Sequence, residues 1–313
     1  MERLTYLLRR LGYALLTLIG VGILLFFLIR LMPGSAARAM LGVTATPEQI
    51  AAFEHTLGLD RPVVVQLADY IGGLFSGDLG TSLLYRKPVS DVIAGALPVT
   101  IQLTVYVLVL SIITTVTLAW IAAANRGGAV DQMIRAIPLI GIGMPSFWIG
   151  AMLLFIFALT LRWFPVGGYV SEFPGNLVTL FLPALTITIA VSAILIRSLR
   201  LGLIGVLESD HVLTARAKGM SGFRLMISHV LPNAAIPTIT VLTLVFASLI
   251  GGALVVEQVF ALPGLGSLII AGFRAHDLPL VMGIALITAA FVLVANVAAD
   301  LAYVLIDPRV ALR

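Results

Sequence analysis

Six separate apolar stretches, residues 11–31, 97–123, 136–161, 177–196, 234–256 and 278–299, restrict this chain more than any other feature of it. Each is close to the length of about 20 residues that a helix needs to cross the hydrocarbon layer of a bilayer. Only 11% of the residues are charged and 60% are hydrophobic, whereas soluble domains run near about 25% charged. The expectation is an all-α membrane protein, one domain over residues 1–313, with six transmembrane helices. Arg3, Arg9 and Arg10 precede the first stretch, and Ala37-Arg38-Ala39 resembles a small-residue cleavage site. The stretch is longer than the roughly 7–15 apolar residues of a signal peptide, so it reads as a retained first span. Pro138 and Pro145 both fall within the third stretch, where they predict local kinks; Pro183 and Pro237 lie in the fourth and fifth.

Basic residues set the orientation. With the N-terminus inside, the cytosolic side carries Arg3, Arg9, Arg10, Arg126, Arg135, Arg197, Arg200, Arg216, Lys218, Arg224, Arg309 and Arg313. The outer side carries Arg30, Arg38, Arg61, Arg86, Lys87, Arg162 and Arg274, four of them in one long loop. Long loops cross largely regardless of charge, so the bias places both termini in the cytosol. The same bias explains a pI near 9.7 at a net charge of only +4, and there is no dense basic tract of the kind nucleic acid requires.

The outer loop, residues 32–96, is long enough to hold structure. Thr46-Pro47-Glu48-Gln49 reads as an N-cap, a first-turn proline and a capping-box glutamine, and Gly58 as a stop, predicting a helix over 47–57. Two more helices are expected after Pro62 and after Pro88, the last ending before the chain re-enters at Leu97. A loop built this way either caps and gates a pathway, docks a partner, or simply connects two spans.

The spans carry almost no charge: Asp300 sits at one end, Arg30 and Glu257 at others, and no ionisable residue occupies a midplane. Carriers driven by ion gradients commonly hold Asp, Glu or His in the membrane. The four histidines lie in loops or at span ends, there is no His-Glu-x-x-His motif, and with no cysteine there is no thiolate metal site. These absences argue against secondary transport and intramembrane catalysis, leaving an external energy source or a passive pore. No Walker A pattern occurs, so the chain does not itself hold ATP through a P-loop. The polar residues in the spans are mild: Gln102, Ser111, Thr114, Thr186, Thr188, Thr238 and their like pack between helices or line a water-filled path.

The longest polar interruption on the cytosolic side is residues 197–232. Within it, Asp210-His-Val-Leu-Thr-Ala-Arg-Ala-Lys-Gly219 reads as a short helix. Glu208 and Asp210 lie at its start and Arg216 and Lys218 at its end, matching the helix dipole, and Gly219 offers a left-handed stop. Thr214, Ala215 and Ala217 keep it slim enough for close approach to another protein. A helix of this composition could also rest on the membrane surface.

The spacing around this helix resembles the cytosolic signature of permease subunits of bacterial binding-protein-dependent ABC importers: Glu-Ala-Ala, three residues, Gly, nine residues, a hydrophobic residue, any residue, Leu-Pro. Here it reads Leu213-Thr214-Ala215, three residues, Gly219, nine residues, then His229-Val230-Leu231-Pro232. The first Glu and Ala are replaced, and His229 stands at the hydrophobic position. Thr214-Ala-Arg-Ala-Lys-Gly219 is similar to the version in the dipeptide, oligopeptide and nickel branch. Leu57-Gly-Leu-Asp-Arg-Pro62, Gly77-Asp-Leu-Gly-Thr-Ser82, Met144-Pro-Ser-Phe-Trp148, Asn233-Ala-Ala-Ile-Pro237, Phe260-Ala-Leu-Pro-Gly-Leu-Gly266 and Asp307-Pro-Arg309 resemble the first permease of that branch, in order along nearly the whole chain. Pro33-Gly34-Ser35 departs from the branch, which usually has Asp after Pro-Gly.

The resemblance implies a type I ABC importer permease fold in the bacterial inner membrane. It implies pairing with a second homologous permease, two cytosolic ABC ATPases that carry ATP and Mg²⁺, and an external solute-binding protein. The chain itself would be non-catalytic and without a cofactor or metal. Asp210, Thr214, Ala215, Arg216, Ala217, Lys218 and Gly219 become the expected ATPase-coupling residues, and Asp78 and Glu257 candidates for gating or for docking the binding protein. The nine Met and four His form no cluster suited to a soft metal, which favours peptides over nickel; opines and glycosides stay open within the same architecture. The alternative of another class is a self-contained channel or facilitator.

Overall fold

Proline and glycine set most of the helix ends in the computed structural model, which describes residues 2–30, 41, 45–56, 58 and 60–306. The helices are α1 (Glu2–Arg30), α2 (Pro47–Thr56), α3 (Val63–Ser76), α4 (Val89–Ala124), α5 (Ala129–Gly143), α6 (Ser146–Leu153), α7 (Gly175–Leu207), α8 (Asp210–Ala217), α9 (Gly222–Leu225), α10 (Leu231–Val259), α11 (Leu265–Arg274) and α12 (Leu278–Ile306). Two wider π-helical turns, Leu154–Thr160 and Met226–Val230, continue α6 and α9. Pro33-Gly34-Ser35 and Asp307-Pro308-Arg309 lie outside the described residues.

Among the described residues, four helices are long and apolar enough to cross a membrane: Val89–Ala124, Gly175–Leu207, Gly222–Thr243 and Leu278–Val297. A fifth is counted if Ala129–Gly141 and Ser146–Thr160 form one broken span. α1 runs for 29 residues, and its apolar stretch Leu15–Leu28 is shorter. The kinks expected at Pro138 and Pro145 have unequal outcomes. The helix runs on through Pro138, whereas at Pro145 the two limbs meet at 106°. A residue before proline is pushed out of the α region, and Met144 is extended at φ −104°, ψ 135°. The helix after Pro88 does not stop before the second span: Val89–Ala124 is continuous through Pro98. Likewise α7 continues beyond the expected span end to Leu207.

The chain divides into two compact units: the described parts of Met1–Thr100 with Pro263–Val294, and of Ile101–Leu262 with Ala295–Arg313. In the first unit, the capping box forms as expected: the Gln49 N–H donates to Thr46 Oγ1 (3.3 Å), and the Thr46 N–H to Gln49 Oε1 (3.0 Å). α3 packs on α1 through Tyr70, whose ring stacks on Phe26 at 5.8 Å, beside Gly22. Val89, Ile93 and Ala96 of α4 form a buried core with Leu265, Leu280 and Ile284.

Asp277 anchors the loop that precedes α4 in this unit. Wholly buried, it follows α11 and caps α12, accepting from the Leu280 N–H (3.2 Å). Its other oxygen accepts from Ser82 Oγ (2.5 Å) and the Leu84 N–H (2.9 Å). Residues 80–89 thereby close into a tight loop, in which Ser82 N–H donates to Lys87 O and Val89 N–H to Gly80 O, both at 2.9 Å. Tyr85, Arg86 and Lys87 are left exposed at its tip. Removing a buried acceptor strands its donors at about 1–3 kcal/mol each. Asp277→Ala is therefore expected to speed tryptic cleavage after Arg86 several-fold, scored by peptide mapping of the purified protein. Cleavage at the native rate would show that the loop is held by other contacts.

In the second unit α7 is the most enclosed helix, with 61% of its apolar window buried. Glycines let its neighbours close on it. A Cβ on Gly202 would stand 2.5 Å from the Ala234 carbonyl oxygen of α10, and one on Gly141 of α5 would stand 3.1 Å from the Ile189 carbonyl oxygen.

Candidate functional site

α8 sits on a buried apolar cluster built from Ala119 and Ala123 of α4, Ile196, Leu199 and Leu203 of α7, Leu225 and Met226, and Val230 and Ala234. Val212 and Ala215, three residues apart and so on one helix face, are its contributions to that cluster. Ala215, expected at a partner contact, is therefore turned inward. The other expected coupling residues, Asp210, Thr214, Arg216, Ala217, Lys218 and Gly219, are exposed, as are His211 and Leu213. One face of this helix is thus packed into the body of the chain and the other is open.

The helix ends as its residues require. Ser209, extended at φ −81°, ψ 151°, leads into it, and its carbonyl accepts from Val212 and Leu213 N–H, both at 3.1 Å. Gly219 is left-handed at φ +77°. Its N–H donates to Arg216 O (2.9 Å), and the Met220 N–H donates to Ala215 O (3.3 Å), the paired bonds of a Schellman stop. Met220, the residue after the glycine, packs back on the cluster holding Ala215. The chain then turns through α9 and the π-helical segment into Leu231-Pro232. Proline has no N–H and its ring crowds the carbonyl four residues back, and a wider turn in front of Pro232 relieves that crowding. At the divergent motif position, His229 is half-buried and its carbonyl accepts from Asn233 Nδ2 (2.6 Å), while Val230 beside it is fully buried.

Two ion pairs fasten the end of α7, just before α8, to the turn between α4 and α5. Arg126 pairs with Glu208, both well exposed. Arg200 and Asp131 form a buried bidentate pair, Nε to Oδ1 and Nη2 to Oδ2, both at 2.6 Å. The second Asp131 oxygen also accepts from the Gly127 N–H (3.0 Å), and Arg135 lies 3.8 Å from the first. Exposed pairs contribute about 0–1 kcal/mol, whereas breaking one partner of a buried pair costs about 3–5 kcal/mol. The Asp131–Arg200 pair is the stronger joint. Sequence reading placed Arg200 among ordinary cytosolic charges and did not single out Asp131. A signal was available: Arg200 falls on the apolar stripe of Ile196, Leu199 and Leu203, where a charge needs a partner.

Asp78 lies in the first unit, and Glu257 near the end of α10 in the second. Asp78 is exposed and its carboxylate accepts from the Gly80 N–H (2.8 Å), closing the turn into the 80–89 loop. Glu257 is 0% exposed. Next to it Ala261 adopts φ +51°, stopping α10 with the Leu262 N–H donating to Glu257 O (2.8 Å). Ser198 Oγ and Thr238 Oγ1 bridge α7 and α10 at 3.1 Å, and Thr186 donates to Leu182 O within its own helix. Among the described residues no group of His, Asp and Glu could hold a metal ion.

Residues 115–312 match the family model described as binding-protein-dependent transport system inner membrane component. Residues 3–104 match the model for the N-terminal part of such membrane components. The chain is 38% identical over 307 residues, 97% of its length and 98% of the relative's, to a Brucella suis protein provisionally named a peptide transport system permease. It is 33% identical over 308 residues, 98% of its length and 99% of the relative's, to the dipeptide transport system permease protein of Lactococcus lactis subsp. cremoris. A chain of the inward-facing MetNI methionine ABC transporter shares its fold, with a TM-score of 0.55 over 69% of this chain and 96% of that one, at 13% identity.

Proposed function

The chain belongs to the binding-protein-dependent transport system inner membrane components, multi-pass permease subunits of ABC importers, and from that premise we propose that it imports di- or oligopeptides and receives ATP-driven motion at α8. The observation that carries the coupling role is the division of α8: Val212 and Ala215 are locked into the permease core while Thr214, Arg216, Ala217 and Lys218 stand open beside a Schellman stop. A helix held this way transmits displacement instead of absorbing it. Peptide as cargo rests on the names of the relatives.

In this reading six spans with cytosolic ends pair with a second, homologous permease, and two ATPases bind beneath. ATP and Mg²⁺ belong to those ATPases. Their closure drives α8, and the two permeases rock between inward-open and outward-open states. The near absence of charge in the spans fits a protein whose work is supplied by a partner. A solute-binding protein delivers cargo to the outer face and docks on the 80–89 loop and Asp78, and Glu257 acts as part of the gate.

Affinity purification of the tagged chain from membranes in mild detergent is expected to recover two ATPase subunits and a second permease. Recovery of a stable homomer that moves solute without ATP would establish a channel or facilitator instead.

A further inference from the structure

The first turns of α5 bury few side chains. From Ala129 to Ile140 the single buried residue is Asp131, with Ile134 half-buried against the α8 cluster. Val130, Met133 and Ile137 are 44%, 58% and 58% exposed. Further along the helix, Gly141 approaches Ile189 of α7 closely. At the start of α5, Asp131 is therefore the buried link to the end of α7. The joint is suited to that. Two parallel 2.6 Å bonds from one guanidinium edge resist rotation as well as separation. Arg200 lies on the same α7 face as Leu199 and Leu203, against which Val212 and Ala215 of α8 are packed.

We propose that Asp131 and Arg200 are positioning residues that make α5, the end of α7 and α8 move as one piece, carrying a displacement of α8 into the first limb of the broken segment. The inference rests on the coupling role of α8. Arg126–Glu208, exposed and a single contact, is a secondary tie across the same turn. Arg200→Lys is the discriminating variant: it keeps the charge that neutralises Asp131 but loses the planar two-bond geometry.

The test uses the assembled importer in lipid nanodiscs. The chain has no cysteine, so spin labels at single cysteines replacing Met133 and Leu213, both exposed, report the distance from α5 to α8. In the native protein this distance is expected to stay fixed between the nucleotide-free and ATP-bound states. In Arg200→Lys it is expected to change with nucleotide. In liposomes, that variant is expected to take up a pool of radiolabelled dipeptides with about tenfold less transport per ATP hydrolysed. Asp131→Glu, which keeps two acceptor oxygens, is expected to retain more coupling than Asp131→Asn. A native distance that shifts with nucleotide overturns the proposal, as does an Arg200→Lys complex that hydrolyses and transports in the native ratio. A merely structural pair would lower the yield of assembled complex and leave that ratio unchanged. Cross-linking of α8 to an ATPase separates the two failures. If α8 cross-links and Arg200→Lys stays coupled, only the relay is wrong; if α8 touches no ATPase, the relay falls with the coupling role.

Discussion

Gly219→Val is expected to lose at least about tenfold of its uptake while the importer still assembles in the membrane and still hydrolyses ATP. The left-handed region costs an L-residue about 1–2 kcal/mol, and a β-branched side chain makes it a genuine outlier. Space is not the obstacle, since a Cβ at Gly219 would meet nothing within 4 Å. The strain is in the backbone at φ +77°, and relieving it releases the bond from Met220 to Ala215 that ends α8. The helix then frays on the side proposed to meet the ATPase. Asn tolerates the left-handed region, so Gly219→Asn is expected to keep most uptake. The check is uptake and hydrolysis measured together on reconstituted complex, with membrane level by immunoblot. Native transport in Gly219→Val would mean that α8 merely rests on the membrane.

Gly202→Ala is expected to destabilise the permease by several kcal/mol, and larger side chains to prevent its recovery. Its new Cβ would stand 2.5 Å from the Ala234 carbonyl oxygen, 3.2 Å from its carbonyl carbon and 3.3 Å from its Cα. These are backbone atoms with no rotamer to yield, so α7 and α10 must separate. Overpacking costs about 1–3 kcal/mol, and more where nothing can give. Gly205 on the same helix is the internal control. A Cβ there meets nothing, and removing a glycine from a helix stabilises by about 0.5–1 kcal/mol. Thermal unfolding in detergent should therefore move the two alanine variants in opposite directions. Equal midpoints would show that the α7–α10 approach is looser than the structure has it.

What was legible in the sequence was local or periodic. Thr46 and Gln49 make a capping box because both partners lie within one turn. Gly219 is a helix stop because its conformation is set by its own missing side chain. The apolar stretches are read from length alone. What stayed hidden depends on partners far away in the chain. Asp131 meets Arg200 across 69 positions and Ser82 meets Asp277 across 195. The inward turn of Ala215 follows from which face of α8 meets Leu199 and Leu203, and that face is chosen by the cluster, not by α8. Pro145 read as a kink because proline lowers helix stability without specifying an angle; the extended Met144 in front of it makes the break.

The coupling role of α8 is tested most directly by its two faces. Because the chain has no cysteine, one cysteine can replace Ala217, which is exposed, or Ala215, which is 9% exposed. Each is then labelled with a maleimide photocross-linker in purified complex. The account predicts a cross-link from position 217 to an ATPase subunit and none from position 215. Cross-links from position 217 to lipid alone, with the ATPases present and bound, would contradict it.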